Sequence, residues 1–367
     1  MIIFYNTLNI HPLLNIFNSS VLVSLIALFF TIGILCLTFV LGLKKFKMIR
    51  NAQTILLKEK CQILIAELIF DEKLSPESAK MEVYFLNNSH RKQLFLEELM
   101  SLHKSLQGEV ATTIEQYYIK KGYDKISLKK LKSEKKHEIL QGVDELVEMK
   151  NPDSIQSLND LLHQTIDYSL KNYLMIAIIK LDPENGLRKL FSFDNYLTDW
   201  LQLRIIKILD EKKFLNPPSL AEWIKKGNSF AIFGCRLSAY TKSEKDIPLL
   251  RALIYSKDIP LKIEVIKTLG IIDAQEVNEL LIKTYFKFNQ KIAVKVAILT
   301  TLAMFRNPYN FSFFVACSES DTHQTQLLAL QGINLLLEDG TLSLDKHDTH
   351  TLNFNKLNKI NATKYKD

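Results

Sequence analysis

The chain has 367 residues, of which 47% are apolar and 24% charged, a net charge of +7, and only 11 glycines. That apolar share suits a core-forming protein of two or three domains. So few glycines argue against glycine-rich nucleotide loops and against a turn-rich all-β fold, and four scattered cysteines cannot be a disulfide framework.

No Asp, Glu, Lys or Arg occurs from Met1 to Leu43. Within that stretch Val21–Leu43 offers nothing more polar than Ser24, Thr31 and Thr38, and as a helix it would be about 34 Å long, enough for a hydrocarbon core of ~30 Å. The spacing predicts a transmembrane helix over residues 21–43. A cleaved signal peptide would need a basic leading region and a shorter apolar run. Lys44, Lys45, Lys47 and Arg50 crowd the C-terminal flank, whereas the other side carries only the chain terminus and His11. The positive-inside rule therefore predicts a single-pass protein of the bacterial inner membrane, N-terminus outside and C-terminal domain cytoplasmic. The four flanking cations are also expected to attract anionic lipid. Residues 1–20, apolar but interrupted by Asn6, Asn9, His11, Pro12 and Asn15, are expected to lie along the outer interface. Cys36, Cys61, Cys235 and Cys317 contain no CxxC pair, as expected of reduced thiols in a cytosolic domain.

Residues 44–134 predict a juxtamembrane helical region, with amphipathic helices over Ala52–Phe70, Arg91–Leu106 and Glu109–Tyr118 and breaks at 71–75 and 87–89. Lys120–Lys136 follows with eight cations: Lys120, Lys121, Lys125, Lys129, Lys130, Lys132, Lys135 and Lys136. Only Asp124 and Glu134 oppose them locally. A solvated face is the first reading and contact with anionic headgroups the second. Nucleic acid comes third, because the net charge is mild and the aromatic interleaving of single-strand binders is missing.

From residue 135 to 340 an internal repeat emerges. Leu170, Leu201, Ala231, Leu261, Val294 and Thr325 are separated by 31, 30, 30, 33 and 31 residues. Four positions on stand Leu174, Ile205, Cys235, Val265, Ile298 and Ala329, and eight on Ile178, Leu209, Ala239, Leu269, Leu302 and Ile333. Offsets of 0, 4 and 8 share one helix face, so each unit opens with a helix bearing one buried stripe. Ile139, Val143 and Val147 are expected to start the array. Punctuators such as Pro183, Pro217-Pro218, Asp273 and Asn307-Pro308 separate each first helix from a shorter second one. The expected fold is all-α, with six or seven helix pairs forming an α-solenoid. Asp182, Asp210 and Asp273 near helix ends are expected to serve turns rather than an acidic site.

Leu261-Lys262, Val265, Leu269-Gly270 and Asp273 resemble the first helix of a HEAT repeat. Leu170-Lys171 with Leu174 and Ile178 gives a second copy, and Val294-Lys295 with Ile298 and Leu302 a third. The period is closest to that of compact bacterial HEAT-like repeats. The resemblance implies a protein-binding adaptor, and the lack of catalytic motifs leads to the expectation of no enzymatic activity and no cofactor. With the anchor confining docking to the membrane face, the expected partner is cytosolic or membrane-embedded, for instance an envelope-biogenesis enzyme such as a glycosyltransferase. The resemblance leaves as alternative a small-ligand-binding or partner-modifying protein, lyase-like or a sensor.

No catalytic constellation stands out. GxGxxG, GxxxxGK[ST] and GxSxG are absent, and His137-Glu138 lacks a second zincin histidine. His347-Asp348-Thr349-His350 lies in residues 341–367, a polar stretch expected to fray, and is expected to be solvated rather than a metal site. His103 and His163 are expected to pack or cap. Trp200 and Trp223 are expected to fill gaps between stacked units rather than line a groove.

Overall fold

A computed structural model describes residues 19–70, 75–192, 197–287, 291–320 and 322–338. The predicted interfacial segment 1–20 falls almost wholly outside these residues, and the polar stretch 341–367 lies entirely outside them. The described residues form eighteen α-helices and no strand. They divide into two compact units, separated between Asp124 and Lys125.

The first unit begins with α1 (Ser19–Phe70), 52 residues or about 78 Å of continuous helix. The predicted apolar span and the predicted helix over 52–70 are thus one rod. No Pro or Gly interrupts residues 44–51, so nothing ends the first helix before the second begins. Among the described residues α1 is the one helix long and apolar enough to cross a membrane, with a mean hydropathy of 2.6 over its best window and none of that window buried.

The distal part of α1 behaves differently. Cys61, Leu64 and Ile65 are buried against α2 (Pro76–Leu86), α3 (Ser89–Ser105) and α4 (Glu109–Lys120). Helix starts have local causes: Ser75 accepts from the Ser78 N–H, and the Asn88 side chain accepts from those of His90 and Arg91. Phe85, Phe95, Tyr118 and Tyr123 fill the core, with Phe95 and Tyr123 ring centroids 5.7 Å apart. Helix α5 (Tyr123–Lys130) crosses the division between units, which falls ahead of the expected 134/135 boundary.

In the second unit longer helices alternate with shorter ones. The longer set is α6 (Lys136–Glu148), α8 (Tyr168–Leu181), α10 (Asp199–Glu211), α12 (Asn228–Thr241), α14 (Ile259–Ile272), α16 (Ile292–Met304) and α18 (His323–Glu338). Between them lie α7 (Ser154–Gln164), α9 (Pro183–Lys189), α11 (Leu220–Ile224), α13 (Ile247–Leu253), α15 (Asn278–Tyr285) and α17 (Phe311–Ser320). Each longer helix packs against the next longer one, and α8, α12, α14, α16 and α18 also pack against a neighbouring short one, an arrangement compatible with a helical repeat.

The register explains the packing. All six residues at offset 0, all six at offset 4 and all six at offset 8 are buried. Three residues before the anchor, Asp167, Thr198 and Asp258 each accept from the anchor's own backbone N–H at Leu170, Leu201 and Leu261. At the other end five longer helices stop at a left-handed residue that is not glycine: Lys150, Lys213, Lys242, Asp273 and Arg306. After four of these the next N–H closes a six-residue turn, such as Ala274 to the Leu269 carbonyl at 3.0 Å.

Side-chain bonds also join residues about one unit apart. Asn228 donates to Asp258 at 2.7 Å, Thr268 to the Cys235 carbonyl at 3.2 Å, and Gln275 to the Phe305 carbonyl at 2.8 Å. Asn278 and Asn310 exchange two amide bonds at 2.8 and 2.9 Å.

Candidate functional site

The basic segments carry the charge pattern singled out in the sequence. Lys44, Lys45 and Lys47 are exposed on α1, just beyond its apolar stretch. Arg50 lies on the same helix, its side chain outside the described residues.

The eight cations of 120–136 separate into two classes. In the first unit Lys121 pairs with Glu82 at 2.6 Å and stands over the Tyr117 ring, while Lys120 is exposed. Glu82 also accepts from the Tyr117 hydroxyl at 2.8 Å. Burial above all, then the neighbouring Tyr123 and Glu82, pushes that phenol far above its usual value. In the second unit Lys130 binds Glu145, a carboxylate only 1% exposed that also accepts from the Ser127 hydroxyl. Lys135 pairs with Glu138, and Lys136 with Asp167. Bonds from Ser133 and then Lys135 hold the Glu138 carboxyl below its usual range. The Asp167 carboxyl is likewise lowered, first by Lys136 and then by the Leu170 N–H.

Half of the run is therefore neutralised by acids that lie outside it. Counting only Asp124 and Glu134 overstates its free charge. What remains in the second unit is Lys125, Lys129 and Lys132, none of which has an ion-pair partner among the described residues. All three line a single cleft between α5 and α7. Leu131 of the same run is buried, next to Ile139, Val143 and Leu146.

The repeat-defining residues fall on the longer helices. Leu170, Leu261, Leu269, Val294 and Leu302 are buried. Lys171, Lys262 and Lys295 follow their anchors by one position, and Lys295 stands 4.7 Å from the Tyr285 ring. A Cβ on Gly270 would come within 3.1 Å of Thr301, so this glycine permits close approach of α14 and α16. Asp273 ends α14 and accepts from Gln275, and Asp182 caps α9, whereas Asp210 sits inside α10.

Other candidates resolve individually. His103 is buried, 2.9 Å from Glu115, and His163 is exposed in the last turn of α7. Trp223 is fully buried, its ring 4.4 Å from Phe191 and 5.0 Å from Phe233. Trp200 does not fill a gap as expected: it is 65% exposed, because it precedes the buried anchor Leu201 by one position and points about 100° away from it. Cys61, Cys235 and Cys317 are buried and Cys36 is exposed. Burial, followed by Glu98 for Cys61 and Glu264 for Cys235, pushes both thiols up to about 12. Among the described residues no group of three or more His, Cys, Asp or Glu side chains could hold a metal, and 347–350 lies outside them.

Sequence reasoning missed the buried acids. Glu98 receives Lys58 and Gln62 from α1, both at 2.8 Å. Arg236 bridges three longer helices through Asp199 and Gln202 on α10 and Glu264 on α14. Lys136 and Asp167, Arg236 and Asp199, and Arg236 and Glu264 lie 31, 37 and 28 residues apart, so aligning charges on the spacing of the anchors would have found these pairs.

No family model matches the chain, and no curated protein matches it.

Proposed function

We propose that the chain is a membrane-anchored scaffold. Residues 21–43 of α1 span the bacterial inner membrane with the N-terminus outside. Residues 135–340 form a cytoplasmic solenoid of six or seven HEAT-like pairs that docks a partner protein, cytosolic or membrane-embedded, such as an envelope-biogenesis glycosyltransferase. The repeat carries this reading. Eighteen register positions are buried without exception, and polar bonds tie residues one unit apart. A stack built this way is rigid and offers long rows of side chains to another protein. Exposed aromatic and aliphatic residues on one stretch support docking: Trp200 and Leu203 on α10 are 65% and 60% exposed, and Ile166, just before the neighbouring α8, is 95% exposed. The anchor concentrates such docking at the membrane face.

Recovery of the tagged full chain from cells in mild detergent should bring down one or a few stoichiometric partners, and the pair Trp200→Ala with Leu203→Ala should reduce them. Bait alone across several detergents and salts would refute the scaffold role. Digestion of the C-terminal part by protease added outside intact cells would refute the orientation.

A further inference from the structure

Lys125, Lys129 and Lys132 recur at i, i+4 and i+7 along α5 and the turn that follows, so the three ammonium groups share one face. Ser157, Asp160 and Gln164 of α7 stand across from them, enclosing an open cleft of about 730 Å³. That volume lies within the usual range for a small-ligand site, roughly 300–1,000 Å³.

The distribution of partners makes the cleft unusual. Lys130, Lys135 and Lys136 are neighbours of these three in sequence, and each has a carboxylate. The three cleft lysines have none among the described residues. Asp160, the carboxylate on the opposite wall, is engaged by Gln156 at 2.8 Å. Three lysines less one aspartate leave the cleft with a net charge of +2. Like charges held on one helical face repel, and the repulsion is relieved by an anion between them.

The remaining wall chemistry narrows the anion. The Ser157 hydroxyl and Gln164 amide can donate to oxygen, and lysine ammonium groups serve phosphate as point charges. Half-buried Leu128 and Leu161 give the cleft an apolar ledge. We propose that this cleft binds a phosphate group, supplied by an anionic lipid headgroup or by a free phosphate. This inference stands independently of the docking role and of the span.

The test uses the full chain in neutral detergent micelles at constant ionic strength. Lysine acetylation rates are read residue by residue by mass spectrometry, with inorganic phosphate, with dihexanoyl phosphatidylglycerol, or with the zwitterionic phosphatidylcholine analogue. Lys125, Lys129 and Lys132 should slow about threefold at a probe concentration about twice its dissociation constant, since protection scales as 1 + [L]/Kd. Lys225 and Lys226, exposed and outside the cleft lining, should keep their rates. Protection by phosphatidylglycerol alone identifies a lipid headgroup, and protection by inorganic phosphate as well identifies the phosphate group as sufficient. Lys129→Gln, with an unchanged helical spectrum, should weaken protection of the other two. Unchanged labelling with both anionic probes, equal slowing of every lysine, or full protection surviving Lys129→Gln would overturn the proposal.

Discussion

The hydroxyl of Thr301 donates to the carbonyl of Ile266 at 3.0 Å, joining α16 to α14. Thr268 does the same one step earlier, donating to the Cys235 carbonyl on α12. Both threonines are 1% exposed. The carbonyls they reach already belong to helices, so each hydroxyl adds a second acceptance in a buried seam. Thr301→Val keeps the shape and removes only that bond, and it should cost about 1 kcal/mol. Thr268→Val should cost a similar amount. Urea unfolding followed by the helical signal, in detergent, measures both; no loss in either variant would show that the ladder contributes packing alone.

Gly332 poses the question of close approach more sharply. A Cβ there would come within 2.8 Å of the Phe314 ring, whose side chain is fully buried. Intrinsic helix propensity favours Gly→Ala by about 1 kcal/mol. Overpacking against a ring that cannot retreat costs about 1–3 kcal/mol. The clash should win, so Gly332→Ala should lower the urea midpoint rather than raise it.

The two tryptophans separate core from surface. Trp223 contacts Phe191 and Phe233, and its indole N–H donates to the Pro218 carbonyl at 3.1 Å. Trp223→Ala should cost about 3–5 kcal/mol by cavity formation. Trp200→Ala should change stability by under about 0.5 kcal/mol. Thermal unfolding of both variants tests this, and comparable losses would contradict the burial difference.

The helical class and the regular spacing of buried positions were legible because apolar spacing reports directly on burial. Every offset-0, -4 and -8 residue from Leu170 to Ile333 is buried, including the loosely matching Ala231 and Thr325. The caps Asp167 and Asp258 were not singled out, although each stands three residues before an anchor. The continuity of α1 was not legible, because a change from apolar to basic composition at Lys44 resembles a boundary although nothing there breaks a helix. Pairing of the basic run was illegible from its own residues, since Glu82, Glu145 and Asp167 arrive through the fold. The exposure of Trp200 was misjudged by residue type where its register position, one before Leu201, decides.

Lys130 and Lys129 are adjacent in sequence, and only the first meets a buried carboxylate. Lys130→Met removes the cation from a carboxylate that is 1% exposed, which should cost about 3 kcal/mol. Lys129→Gln should cost under about 0.5 kcal/mol. Adding Glu145→Gln to Lys130→Met should recover most of the loss, because the amide retains an acceptor for Ser127 without leaving a charge. Full additivity of the two single effects would show that the pair is not coupled.

Asp167 gives a pH dependence with a definite sign. Its carboxyl is lowered, first by Lys136 and then by the Leu170 N–H. A group lowered on folding contributes stability that is present above its ordinary value near ~3.9 and lost as pH falls through the lower folded value. Lys136→Gln removes the largest cause and leaves the backbone bonds, so the Asp167 titration should move up toward the ordinary value without reaching it. Carboxyl carbon shifts in aspartate-labelled protein follow the titration directly. An unchanged midpoint in Lys136→Gln would mean that the helix N-terminus alone sets the ionisation of this cap, and that the Lys136 contact adds nothing in solution.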